Sequence, residues 1–437
     1  VRIGVVLPED RRRSIRLVIS TPGFSVDEET IQPGSLEAHV RNDAIVIKQG
    51  RRQSDAHRVW SIQPPIERED MGVLACDCAA GRGFHWSTNV DVLLPGRVEF
   101  HVRDGFLFVI NDVPTEFYLK GVITSEMSGE CPAAFLKAQC VVARSWIAAA
   151  SERKHTDLGI DFCNDDCCQR YQGTGSVTSA AREAVEATAS EVLIHQSGAV
   201  VDANYSKSCG GVVESPEAVW GFSKAGQRCV VDAPDSDRTH SFFPVSEEYI
   251  GEYVRGAWLS DCGAFCSPNV VPDGEVSRYL GRVDDGLGRF RWTVTRSADQ
   301  LAQILLEKHL VPRDLYNDTG CRRVDDLQVT RRGPGGRATQ VQIDYVDRND
   351  AMRRVTVDGE YWIRHALHES FLYSSAFDVR IERDAKGRTE RFGFAGAGWG
   401  HGAGMCQIGA LGMALRGFDH ERILHHYFEG VRIEERG

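Results

Sequence analysis

No run of apolar residues in this chain approaches the roughly 20 needed to cross a bilayer as a helix, and no charged-then-apolar leader opens it. The chain starts on Val1 rather than Met, so a leader or anchor is expected outside the sequence, and the lack of a targeting segment decides nothing. Positive charge is also scarce: 51 Lys and Arg against 62 Asp and Glu leave a formal net charge of −11. That balance excludes nonspecific binding to nucleic acid or anionic lipid, but it leaves room for an uncharged or weakly charged polysaccharide. Missing too is the apolar strand-then-helix frame that would turn the one glycine-rich stretch into a dinucleotide or phosphate loop.

Cysteine, by contrast, is plentiful, with 13 in 437 residues. The count is odd, so an oxidised framework cannot pair them all. Cys76, Cys78, Cys229, Cys262, Cys266 and Cys321 suit disulfides in an exported protein and equally suit free thiols in an anaerobic one, which leaves the compartment open. Apolar and charged fractions of 42% and 26% are those of an ordinary globular protein of two or three domains. Up to residue 110 the chain reads as β, in short β-branched runs (VRIGVVL, SIRLVIS, AIVIKQG, VDVLLPG, RVEFHVRDGFLFVI) between Gly, Pro and Asp turns, with no chemistry visible in them. Helical periodicity enters after that. The expected fold is α+β: a β-rich N-terminal region (1–110), a mixed α/β core in two sequence halves (111–222 and 359–437), and an inserted α+β lobe (223–358).

Three stretches carry chemistry. Residues 132–150 read as a helix, with Pro132 at its first position and Ala134, Phe135, Ala138, Val141, Val142 and Ile147 on one apolar face. Lys137, Cys140 and Arg144 share a stripe. Glu126 stands just upstream, expected on a turn with Ser125, Ser128 and Gly129. A carboxylate meeting a cationic helix face is either the rim of a cleft or a salt-bridged helix entrance. Second, Cys163, Cys167 and Cys168 have the close spacing with which a loop wraps one zinc ion, with His155 or Asp157 as fourth ligand. A local disulfide or plain thiols fit the same spacing. Third, AGWGHGAGMCQIGA (397–410) sets five glycines around His401. Such density lets the backbone take positive φ and approach another surface closely.

Together these stretches resemble the SpoIID/LytB family, named for stage II sporulation protein D and the amidase enhancer. The SEM-P element and LKAQ-V-AR helix of that family are similar to Ser125–Met127, Leu136–Gln139 and Ala143–Arg144. Its C-x4-CQ-Y element is similar to Cys163, Cys168, Gln169 and Tyr171, and its CGG/SGG turn to Ser208–Gly211. Its GWGHG-GM-Q-GA element is similar to Gly398–Ala410, and Arg364, Ser374, Ser375 and Phe377 resemble its arginine helix and S-x-F strand.

The resemblance implies a peptidoglycan lytic transglycosylase of the cell envelope, outside the cytoplasm. Glu126 would act as acid and then base, giving 1,6-anhydro-N-acetylmuramic acid ends. One carboxylate suffices because the sugar's own 6-hydroxyl replaces the second carboxylate of ordinary glycosidases. Lys137, Arg144, Tyr205, Lys207, His401 and Gln407 would bind the glycan, and a closed Cys163–Cys167–Cys168–His155 site would hold one structural zinc with none required for the chemistry. Glycan strands, denuded of stem peptides in the sporulation members, are the implied partner, and nucleic acid is not. Two rivals follow: a non-enzymatic enhancer that binds peptidoglycan and activates an N-acetylmuramoyl-L-alanine amidase, and, more weakly, a zinc hydrolase using the cysteine loop. Where the family commonly has Ser and an aromatic residue, this chain has Cys406 and Ile408.

Overall fold

Strand alternation builds the first layer. Ser14–Ile19 buries Ile15, Leu17 and Ile19, and its antiparallel neighbour Gly34–Arg41 buries Leu36, Ala38 and Val40, the period-two pattern of a half-covered sheet. The computed structural model describes residues 1–26, 29–84, 86–149, 153–234, 243–255, 263–284, 286–311 and 320–436. Sheets and helices coexist in an α+β fold. The chain divides into two units, Val1–Ser190 with Arg278–Asp285, and Glu191–Ser277 with Gly286–Gly437.

The first unit contains two sheets. One has six strands, in the order Thr88–Pro95, Gly72–Ala80, Ser14–Ile19, Gly34–Arg41, Ala44–Gln49, Arg52–Gln53. The other has seven: Phe162–Cys163, Arg2–Val6, Phe106–Asp112, Arg97–Arg103, Val59–Gln63, Ser25–Val26, Glu29–Thr30. Phe162–Cys163 runs parallel to Arg2–Val6, with Ile3 opposite Phe162 and Gly4 opposite Cys163. A division at residue 110 is therefore not what the structure has. The strand entering the cysteine loop belongs to the N-terminal sheet, and Ile3, Leu17, Tyr118, Cys140, Phe162 and Val185 share one core.

Helix α1 (Thr115–Glu126) and helix α2 (Ala133–Ala149) pack into that core, with helix α3 (Ser179–Ala187) against both. Helix α2 is buried on most of its circumference, Cys140 and Arg144 included, as expected of a helix sealed inside a domain. Pro132 sits one residue ahead of its first turn and accepts the Leu136 N–H through its carbonyl at 3.1 Å. Among the described residues no helix is long and apolar enough to cross a membrane. No disulfide joins any of the twelve described cysteines, and Cys262 lies outside the described residues.

The second unit has two three-stranded antiparallel sheets, Cys321–Arg332/Ala338–Asp347/Met352–Asp358 and Arg291–Ser297/Thr389–Ala397/Phe377–Arg383. Helix Ala298–Glu307 covers their shared core and starts on a capping box between Ser297 and Gln300. Short pairs do the rest: Glu191–His195 with Val431–Glu435, Val212–Val213 with Val230–Val231, and Tyr205–Ser206 running parallel to Met405–Cys406.

Candidate functional site

In the first unit, Glu126 is the last residue of helix α1, not a turn residue. Gly121 and the small residues after it look like a turn in sequence. The helix nevertheless runs through Gly121, where a Cβ would lie 2.5 Å from the Tyr171 ring and 2.8 Å from the Gly173 carbonyl. The absent side chain is the space into which the following loop packs. Glu126 is 7% exposed, and its Oε1 accepts the backbone N–H of Arg170 at 2.9 Å.

The segment that delivers this N–H is held at each step. Tyr118 Oη donates to Gln169 Oε1 at 3.3 Å, and Gln169 Nε2 donates to the Ala143 carbonyl at 3.3 Å. Tyr171 Oη donates to Asn111 at 2.9 Å, and the Gln172 N–H reaches Ser125 Oγ at 2.9 Å. Residues 169–172 are thus tied to helix α1, helix α2 and the sheet.

The Arg170 side chain is buried between two carboxylates. It donates to Asp166 Oδ1 at 2.8 Å and to Asp284 Oδ1 at 2.8 Å, and lies 5.7 Å from the Trp86 ring centroid. Burial pulls its pKa down, but the charges of Asp166, Asp284 and Glu126 push it well above the ordinary value, so the guanidinium stays charged. Burial pushes the Asp166 carboxyl up, only partly opposed by Arg170. Segment 278–285 returns to the first unit for this contact: Met127 bridges Leu280, and the Ser128 N–H donates to the Tyr279 carbonyl at 2.8 Å. Trp86 Nε1 also donates to Asp166 at 3.1 Å, with Phe84 stacked on Trp86 at 4.5 Å.

The cysteine loop opens directly into this segment. Cys163, Cys167, Cys168 and His155 place one ligand atom each within 4.8 Å of all the others. Cys163 Sγ is 3.0 Å from Cys167 Sγ, which is 3.6 Å from His155 Nε2. Buried Asp165 shapes the loop by accepting the N–H groups of Gly81 and Arg82 at 2.9 and 2.8 Å. Hydrogen bonding to Cys167 and Cys168 pushes the His155 imidazole up to about 10. Asp157, the other fourth-ligand candidate, is not in the group.

Lys137 is half-buried on helix α2. Arg144 is 5% exposed and forms a two-pronged pair with Glu116, Nε to Oε1 at 3.0 Å and Nη2 to Oε2 at 2.8 Å. It therefore ties the first turn of helix α1 to helix α2.

In the second unit, glycines 398, 400, 402 and 404 all take positive φ, from 74° to 95°. At Gly402 a Cβ would collide with the guanidinium of Arg337, which is fully buried. His401 is half-buried, and its Nδ1 accepts the Ala403 N–H at 3.1 Å, which puts the proton of the neutral ring on Nε2. Its ring lies 5.0 Å from that of Trp220, over which Lys224 Nζ sits at 4.3 Å. Lys207 is buried with its ammonium 5.9 Å from the Trp399 ring, and Tyr205 is half-buried. Gln407 is the buried first residue of helix Gln407–Leu415. Trp399 and Ser208 exchange backbone hydrogen bonds at 2.8 and 3.0 Å, so Lys207 and the glycine loop are held together.

Sequence reasoning missed Arg170, Asp166, Asp284 and Trp86. Arg170 had a signal, since it stands between Gln169 and Tyr171. Asp284 is 114 residues from its partner and had none.

Residues 103–195 match the SpoIID family model, a stage II sporulation protein, and residues 276–404 match a domain of unknown function, DUF8618. An uncharacterized protein of Brachyspira hyodysenteriae is 26% identical over 339 residues, 77% of this chain and 71% of that protein. The amidase enhancer of Bacillus subtilis is 24% identical over 322 residues, 72% of this chain but only 40% of the enhancer's length. The match over residues 103–195 and the likeness to the amidase enhancer both point toward the SpoIID/LytB family.

Proposed function

We propose that this protein acts on peptidoglycan in the cell envelope, cleaving its glycan strands as a lytic transglycosylase with Glu126 as the acid and then the base. The observation that carries the reading is the buried Glu126 carboxylate, fixed through Oε1 by the Arg170 N–H inside the segment that matches the SpoIID family. Protonated Glu126 gives its proton to the glycosidic oxygen as the C1–O bond breaks. The 6-hydroxyl of N-acetylmuramic acid then closes on C1 and returns a proton to Glu126, so no water is consumed. The mechanism requires Glu126 to carry a proton at the start of the cycle.

The glycan-binding groups on this reading are Lys137 in the first unit and Tyr205, Lys207 and the Nε2–H of His401 in the second, with Gln407 supporting the glycine loop. Arg144 positions helix α1 through Glu116. His155, Cys163, Cys167 and Cys168 offer one zinc three soft thiolates and an imidazole, which suit its tetrahedral preference; the Cys163–Cys167 separation of 3.0 Å is shorter than the roughly 3.8 Å edge of such a site and would open as the ion binds. Four protein ligands leave no position for water, so the ion's contribution is to hold the loop that carries Arg170 toward Glu126. The supporting experiment is digestion of purified peptidoglycan by wild type and Glu126→Gln. Anhydro-ended products should fall by about 10²–10⁴-fold in the variant, the usual size of a general acid–base contribution. Equal product from both would remove Glu126 from the chemistry.

A second reading draws on the likeness to the amidase enhancer. The protein would bind peptidoglycan and activate a partner amidase, and Glu126→Gln would leave that activation unchanged.

A further inference from the structure

The second unit buries another set of soft ligands, far from the cysteine loop in sequence. Cys209, Asp232, Cys266 and Cys406 come from four separate segments, and one ligand atom of each lies within 4.8 Å of the other three. None of the four is more than 2% exposed.

Distances favour an ion over a disulfide. Cys209 Sγ is 3.6 Å from Cys266 Sγ and 3.2 Å from Asp232 Oδ2. A tetrahedron with Zn–S bonds of ~2.3 Å has edges of roughly 3.8 Å, close to the separation found. A disulfide would require the two sulfurs to approach by about 1.5 Å.

The surroundings favour thiolates. Cys406 Sγ accepts the N–H groups of Cys209 at 3.1 Å and Gly409 at 3.3 Å, and Cys209 Sγ accepts that of Gly211 at 3.4 Å. Asp232 is oriented from behind: Oδ1 accepts the Tyr427 hydroxyl at 2.8 Å and meets His426 Nε2 at 3.3 Å, while Oδ2 faces Cys209. Outer hydrogen bonds of this kind fix a ligating carboxylate. Buried anionic sulfur and oxygen without a cation would be costly.

We infer that Cys209, Asp232, Cys266 and Cys406 form a second, structural metal site that takes zinc through three thiolates and one carboxylate oxygen. The ion ties the Ser208–Gly211 turn to the Met405–Cys406 strand, and so fixes the two ends between which Lys207 and the His401 loop are held. The inference is independent of whether the protein cleaves glycan.

The test is metal content and X-ray absorption on the full chain. A Cys163→Ser/Cys167→Ser variant removes the loop site and keeps these four residues. It should retain one equivalent of zinc, with three sulfurs at ~2.3 Å, one oxygen at ~2.0 Å and no imidazole in the outer shell. Cys266→Ser should hold one equivalent less than wild type and lose the oxygen-bearing component. If either variant fails to fold, the other decides. A double variant that folds without metal, a Cys266→Ser protein with wild-type zinc content, or a Cys209–Cys266 disulfide in non-reducing peptide maps would overturn the assignment.

Discussion

Arg170 does two jobs at once. Its backbone N–H fixes Glu126, and its buried side chain neutralises half-buried Asp166 and the enclosed carboxylate of Asp284. Replacing it by Ala keeps the N–H but strands the two carboxylates. Breaking a buried ionic group from one side costs about 3–5 kcal/mol, far more than an exposed ion pair contributes. Arg170→Ala should therefore lower stability by that amount in denaturant unfolding. A change under 1 kcal/mol would show that the two carboxyls are readily protonated or rehydrated.

Glu99 makes the opposite case, a carboxylate whose partners exceed its burial. Burial pushes its pKa up, but hydrogen bonds from Arg2, His101 and Arg97 hold it down at about 2. A depressed carboxylate adds stability that is complete above the ordinary pKa of ~4.3 and is lost as pH falls toward the folded value. Wild type should thus lose stability between about pH 4.5 and 2. Glu99→Gln should be less stable than wild type at neutral pH and show a flatter acid limb, as measured by thermal melts across pH. An unchanged limb would mean that other carboxylates set it.

At the scale of elements, the cysteine loop and the catalytic candidate are one construction. Cys168 ends the ligand set, and Arg170 follows after a single residue, Gln169, bonded to Tyr118 and Ala143. With zinc in the loop as proposed, its removal should free this segment and weaken the hold on Glu126 without touching Glu126 itself. Chelation, or Cys167→Ser, is expected to reduce glycan cleavage and the Tm of the first unit together. Full activity in protein shown to be zinc-free would separate the two.

The grouping of His155, Cys163, Cys167 and Cys168 was legible because the four fall within 14 positions, and their spacing carries the information. The second cluster was not, since the Cys209 N–H meets Cys406 across 197 residues and no local pattern records that. Glu126 was found, but on the wrong element: Gly121 and the serines read as a turn until Tyr171 is seen filling the gap. The closing segment forms helix His420–Tyr427 and then strand Val431–Glu435, which pairs with Glu191–His195 far back in the chain.

For the whole molecule, strand patterning made the α+β class and the β-rich start readable from sequence. Its division was not readable. Segment 278–285 lies inside a long insertion by sequence, yet it packs with the first unit through Met127, Ser128 and Arg170. Only long-range pairing discloses that.

On the proposed mechanism Glu126 works without water as nucleophile. Digestion of amidase-treated and intact peptidoglycan in 18O-labelled water, read by mass spectrometry, tests it most directly. The account predicts products ending in 1,6-anhydro-N-acetylmuramic acid with no 18O at the new end, from at least one substrate. New reducing ends carrying 18O would mean hydrolysis, and no new ends from either substrate would leave the amidase-activating role in its place.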